Sequence, residues 1–123
     1  MVELKELCEK AHKNAREKGF WEDWDRIQEF RNMAINISPD GKKQTYIDIN
    51  NAITTRLMLI VSELSEALEA LRERDGDNFA EELADVAIRL GDLCGGLDID
   101  LEKEVIRKME RNEDRPYKHG KQF

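Results

Sequence analysis

The segment Leu59-Ile60-Val61-Ser62-Glu63-Leu64-Ser65-Glu66-Ala67-Leu68-Glu69-Ala70-Leu71-Arg72, followed by Glu81-Glu82-Leu83-Ala84-Asp85-Val86-Ala87-Ile88-Arg89-Leu90, decides how this chain folds. Each helical residue advances ~100°, so faces follow from position. In the first segment Leu57, Val61, Leu64, Leu68 and Leu71 form one stripe, the expected core side. Ser62, Ser65, Glu69, Arg72 and Glu73 form the polar side. Glu63 and Glu66 lie between them, on a strip whose other members are Leu59 and Ala70. The second segment has a core arc of Phe79, Leu83, Val86, Leu90 and Leu93, with Glu82 at its edge and Asp85 beside it. Each helix therefore carries a carboxylate pair three residues apart, set toward its apolar side.

Burying an ionised carboxylate costs several kcal/mol unless a positive charge meets it. Four converging carboxylates repel one another, and a shared proton or cation relieves that repulsion. Residues at i and i+3 have Cβ atoms ~5–6 Å apart on one face, so two such pairs on facing helices can surround an oxygen-loving ion. Glu63, Glu66, Glu82 and Asp85 include no His or Cys, which favours Mg²⁺, or Mn²⁺ in its place, over Zn²⁺. The bland alternative is solvated helix surface, and a single pair is usually that. Two pairs on consecutive helices favour the cation site.

Working outward, a helix is expected from about Val2 to Lys18, with Gly19 as its stop, and another from Phe20 to about Asn36. The second follows Phe20, Trp24, Ile27, Phe30, Ala34 and Ile37, and Ser38-Pro39-Asp40-Gly41 is expected to end it as a turn. Residues 38–51 read as a loop or insertion, in which Thr45, Ile47 and Ile49 alternate as a short strand would. Asn50 or Asn51 then caps a helix from about Ala52 to Arg74, and Asn78 with Glu81 makes a capping box for the next, which ends at Gly95-Gly96. A last helix starts near Asp98 or Asp100 and runs to about Asn112, followed by a basic C-terminal tail over 113–123. The expectation is one all-α domain over 1–123, a four- to five-helix bundle.

With 123 residues, 40% hydrophobic and 38% charged, the chain suits a thin core and a large wetted surface. Small bundles bury a modest share of their surface, so a homodimer or homotetramer is expected. The net charge of −7 argues against nucleic acid as a partner. Cys8 and Cys94 lack metal-ligand or disulfide spacing and read as reduced thiols of a cytoplasmic protein. No apolar run approaches the ~18 residues of a membrane span, and the N-terminus is charged rather than signal-like.

The two carboxylate pairs resemble the E-x-x-E … E-x-x-D signature of the MazG-like all-α nucleoside triphosphate pyrophosphohydrolases. The stretch Lys108-Met109-Glu110-Arg111-Asn112-Glu113-Asp114-Arg115-Pro116-Tyr117-Lys118-His119-Gly120-Lys121 is similar to that family's closing segment. Together these cover about residues 55 to 121, more than half of the chain.

The resemblance implies an oligomeric bundle with Mg²⁺ on Glu63, Glu66, Glu82 and Asp85. The reaction it implies is hydrolysis of an NTP or dNTP between the α- and β-phosphates, giving the monophosphate and pyrophosphate in nucleotide-pool housecleaning. A metal polarises phosphoryl oxygens and neutralises the leaving group, and either Glu63 or Glu66 would serve as general base. From Arg107 to Lys121 there are six Lys or Arg against three acids. Within that segment Lys108, Asn112, Arg115, Lys118 and Lys121 would clamp phosphate. The segment around His12 and Trp21 looks like the N-terminal part of the dCTP pyrophosphatase branch, where a His and a Trp contact the base. Tyr117 could also stack. The stretch from Trp21 to Glu63 is longer than that branch suggests, and packing of Phe20, Trp21 and Trp24 in the core or a subunit interface is the plain alternative.

Two rival readings stand beside this one. The first is a phosphoribosyl-ATP pyrophosphohydrolase-like enzyme, which shares the bundle and the carboxylates. The second is a non-catalytic helical oligomerisation or adaptor protein, which has no use for four inward carboxylates.

Overall fold

The computed structural model describes residues 3–34 and 38–122. Val2, Asn36 and Ile37, which the sequence placed in the first two helices, lie outside the described residues. Five α-helices follow in order: α1 (Leu4–Glu17), α2 (Glu22–Ala34), α3 (Pro39–Arg72), α4 (Gly76–Gly96) and α5 (Leu101–Glu113), then a short 3₁₀ turn over Tyr117–Gly120. No strand occurs among the described residues, so the all-α expectation holds. No helix among them is long and apolar enough to cross a membrane.

The main departure is the stretch 38–51, expected as a loop or insertion. From Pro39 onward it is helix, continuous with the carboxylate-bearing segment, and α3 is 34 residues long. Ser38-Pro39 starts this helix rather than ending the previous one. The Ser38 side chain accepts from the Gly41 amide at 3.3 Å, and Pro39 occupies the first turn, where its missing N–H costs nothing. No proline follows before the end of α3. Thr45, part of the alternation that suggested a strand, donates its hydroxyl to the Gly41 carbonyl at 3.0 Å, and Thr54 and Thr55 likewise donate to the carbonyls of Asn50 and Asn51 at 2.8 and 3.0 Å. Gln44 adds an i,i+4 bond to Asp48 at 2.9 Å.

Two smaller corrections concern caps, the first being that Asn50 and Asn51 lie inside α3 and do not cap a helix at Ala52. The side chain of Asp75, not Asn78, caps α4 by accepting from the Asn78 amide at 3.1 Å. The break between α3 and α4 is correspondingly tight, with Arg74 in the left-handed region at φ 59°. Asp100 caps α5 as expected, accepting from the Lys103 amide at 3.1 Å.

The packing chain runs α2 on α3, α3 on α4, α4 on α1 and α1 on α5. The side of α3 turned inward is its small-residue face: Ala52, Ala67 and Ala70 are buried, with Glu63 half-buried among them. The expected core stripe of Leu57, Val61, Leu64, Leu68 and Leu71 is instead exposed, lying roughly a third of a turn round the helix. Alanines let the helix axes approach closely, and that close approach is incompatible with a leucine stripe on the same side. On α4, Leu93 is buried, whereas Leu83 and Leu90 are exposed.

Close approach also explains the glycines of α4. A Cβ at Gly95 would lie 2.7 Å from the His12 Cβ, and one at Gly96 would overlap the Trp21 ring. These residues end the helix, as expected, and also seat α1 and Trp21 against it. Trp21 is the largest fully buried side chain, at 1% exposure. Cys8 and Cys94 are buried free thiols, and burial pushes both above the usual thiol range.

Candidate metal centre and adjoining cleft

The carboxylates of Glu63 on α3 and of Glu82 and Asp85 on α4 converge where the two helices pack. Each offers one oxygen, and these oxygens lie within 4.8 Å of one another. All three side chains are half-buried. Removal from water pushes the Glu82 carboxyl up first, followed by a hydrogen bond with Glu63 and repulsion from Asp85, Glu63 and Glu66. Glu66, the fourth carboxylate of the pattern, is exposed and stands outside the cluster of three, though close enough to act on Glu82.

The donor set fits a hard divalent cation. It is all oxygen and all carboxylate, and it carries a repulsion that positive charge would relieve. A positive charge already meets one of the three acids, since Arg89 Nε donates to Glu63 Oε1 at 2.8 Å.

Two of the three, Glu63 and Asp85, line a cleft of about 540 Å³ among α1, α2, α3, α4 and the α1–α2 connection. Glu63, Asp85 and Arg89 line it near the cluster, and Asn14, Phe20 and Asp92 line it elsewhere. Asp92 is held by two side chains from the first part of the chain. The Trp21 indole Nε1–H donates to Asp92 Oδ1 at 2.7 Å, and His12 Nδ1 lies 3.0 Å from the same oxygen. Arg16 Nε donates to His12 Nε2 at 3.1 Å, which assigns the imidazole proton to Nδ1, facing Asp92. The His12 and Trp21 rings meet edge-on, with centroids 4.8 Å apart.

Arg56 closes the back of this assembly. Its guanidinium lies 4.1 Å over the Trp21 ring and donates to both oxygens of Asp23, at 2.8 and 3.2 Å. It also reaches the carbonyls of Phe20 and Ala52, at 3.1 and 3.0 Å, tying α2 and the turn before it to α3. The Arg56 guanidinium holds the Asp23 carboxyl below its usual range.

The residues singled out from sequence thus separate. Glu63, Glu82 and Asp85 come together. His12 and Trp21 come together behind the cleft, on Asp92, but neither lines it. Lys108, Asn112, Arg115, Lys118 and Lys121 lie on α5 and the segment after it, and none lines the cleft. Tyr117 is 89% exposed, with the Lys118 ammonium 5.6 Å from its ring centre.

Sequence reasoning passed over Arg56, Arg89 and Asp92. A signal for two of them was present: Glu82, Asp85, Arg89 and Asp92 recur at i, i+3, i+7 and i+10, a polar stripe that continues the carboxylate pair along α4. Comparison with protein-family models, with curated proteins and with solved structures finds no significant match for this chain.

Proposed function

We propose that this chain is a Mg²⁺-dependent nucleoside triphosphate pyrophosphohydrolase of the MazG-like all-α type, acting on an NTP or dNTP as a homo-oligomer. The supporting observation is the convergence of Glu63, Glu82 and Asp85 oxygens within 4.8 Å at the edge of a cleft large enough for a nucleotide. Glu63, Glu82 and Asp85 would hold the cation, with Glu66 beside them. A divalent ion bound there would supply charge neutralisation for the phosphoryl oxygens. Glu66, exposed and outside the cluster, is the carboxylate free to accept a proton from the attacking water. His12 and Trp21 would serve the nucleoside end indirectly, by fixing Asp92.

The homo-oligomer accounts for two further features. The leucine stripe of α3 is exposed in the single chain, and a second copy would cover it. The basic closing segment does not line its own chain's cleft, so a neighbouring copy is the natural source of phosphate-binding Lys and Arg. An adaptor would also expose apolar helix surface, but it would gain nothing from the carboxylate cluster.

The deciding experiment is turnover of a panel of NTPs and dNTPs, with and without Mg²⁺, separating pyrophosphate from orthophosphate release. Mg²⁺-dependent pyrophosphate release from any of them is expected. A panel with no release, together with no cation uptake by the folded protein, would return the adaptor reading.

A further inference from the structure

Two arginines line the cleft, and they differ in one respect that bears on substrate. Arg56 is engaged through both terminal nitrogens, with Asp23, Phe20 and Ala52, and is stacked on Trp21. Arg89 makes a single donation, from Nε to Glu63, and its two terminal nitrogens make no hydrogen bond among the described residues. Its side chain is 37% exposed, against 16% for Glu63, so the ion pair has its acid inside and its base toward water. Arg89 stands one helical turn beyond Asp85, on the stripe that leads from the carboxylate cluster to Asp92.

An anionic substrate entering this cleft meets Asp23, Glu63, Asp85 and Asp92, and Arg89 is the cationic side chain with donors to spare. A guanidinium grips two phosphate oxygens at once, a geometry the single bond to Glu63 leaves unused. Glu63 is also claimed by the candidate cation site, and a divalent ion there would supply the positive charge that Arg89 now provides. The geometry points to Arg89 as a phosphate-binding residue that gives up its bond to Glu63 for the substrate's phosphate when cation and substrate bind. This inference rests on the metal-dependent reading above.

Two calorimetric titrations test it, each on wild type and on Arg89→Gln. The first uses Mg²⁺ alone. Removing the guanidinium that competes for Glu63 should tighten Mg²⁺ binding about two- to fivefold, the scale of a partly exposed ion pair. The second uses inorganic pyrophosphate at saturating Mg²⁺, a probe independent of the base. Its affinity should fall about tenfold or more, the scale of charge-assisted hydrogen bonds. The two effects have opposite signs, which a residue that merely packs would not produce. If Arg89→Gln melts below the assay temperature, Arg89→Lys carries the second reading, with pyrophosphate weakened because an ammonium cannot bind two oxygens in a fork.

No Mg²⁺ uptake by wild type would overturn the metal centre and the role of Arg89 together. Uptake by wild type, with Mg²⁺ affinity unchanged or weaker in Arg89→Gln, would overturn the role of Arg89 alone. So would an unchanged pyrophosphate affinity, or no pyrophosphate binding by wild type.

Discussion

The indole N–H of Trp21 donates to the carboxylate of Asp92 across a distance of 2.7 Å, joining the chain just before α2 to the last turns of α4. One residue type thereby does two jobs. The ring fills the largest fully buried site in the described structure, and its polar edge orients an acid that lines the cleft. The space for it exists because Gly96 has no side chain.

Trp21→Phe should retain most of the packing and lose the bond to Asp92. A hydrogen bond to a charged group contributes about 1.5–3 kcal/mol, and the loss should appear as a lower urea midpoint with an unchanged slope. Gly96→Ala places a methyl against the ring, and overpacking of this kind costs about 1–3 kcal/mol. A Gly96→Ala protein as stable as wild type would contradict the close approach of α4 to Trp21.

The carboxylate cluster carries its own pH signature. Glu82 is raised above the ordinary 4.5 by removal from water and by its acidic neighbours, so the folded state binds its proton more tightly than the unfolded chain. Without metal, its contribution favours folding at low pH and is lost as pH rises from 4.5 through the higher folded value. Thermal melts in EDTA should therefore show this loss of stability with rising pH, and Mg²⁺ should reduce it. In Glu82→Gln the slope should flatten. A melt series in which Glu82→Gln and wild type run parallel would refute the repulsion.

Asp23 has the opposite sign. The Arg56 guanidinium lowers its carboxyl, so the stability it supplies is present above the ordinary 3.8 and disappears as pH falls through the lower folded value. Asp23→Asn should remove that acid-side loss and detach α2 from α3, since Asp23 and the carbonyls of Phe20 and Ala52 share one guanidinium. Hydrogen exchange of the α2 amides is the direct measurement, and unchanged protection would count against the tie.

Glu63→Gln and Asp85→Asn should each abolish Mg²⁺-dependent turnover, by about a hundredfold or more, while far-UV circular dichroism stays that of wild type. Steady-state pyrophosphate release decides the matter, and normal turnover in both variants would remove the cluster from the reaction.

Leu64→Glu together with Leu68→Glu should leave the single chain folded, because both positions are exposed in it. The same pair should split the proposed homo-oligomer. Light scattering should then move to the mass of one 14.4 kDa chain. A wild-type protein that already scatters at that mass in micromolar solution would dispose of the oligomer.

Much of the helical architecture was legible along the chain. Asp100 as a cap and Gly19 near the end of α1 are local signals, decided within a turn or two of backbone. The stretch after Ser38 was misread for the same local reason. Ser-Pro can end one helix or begin another, and alternating Thr and Ile suit a strand until their hydroxyls find carbonyls four residues back.

The sequence by itself determined that the chain is helical, that the pairs Glu63 with Glu66 and Glu82 with Asp85 each stand three residues apart on consecutive helices, and that Cys8 and Cys94 have no metal spacing. These properties follow from period and spacing. Only the tertiary structure decided which face of α3 is buried, because periodicity locates an apolar stripe without saying whether its own chain or another surface covers it. The alanine face went inside, where helices approach closely, and the leucine face stayed outside. Tertiary structure alone also set Arg89 on Glu63 and placed Trp21 and His12 on one oxygen of Asp92, since these pairs are 26, 71 and 80 residues apart and no local rule reaches across that distance.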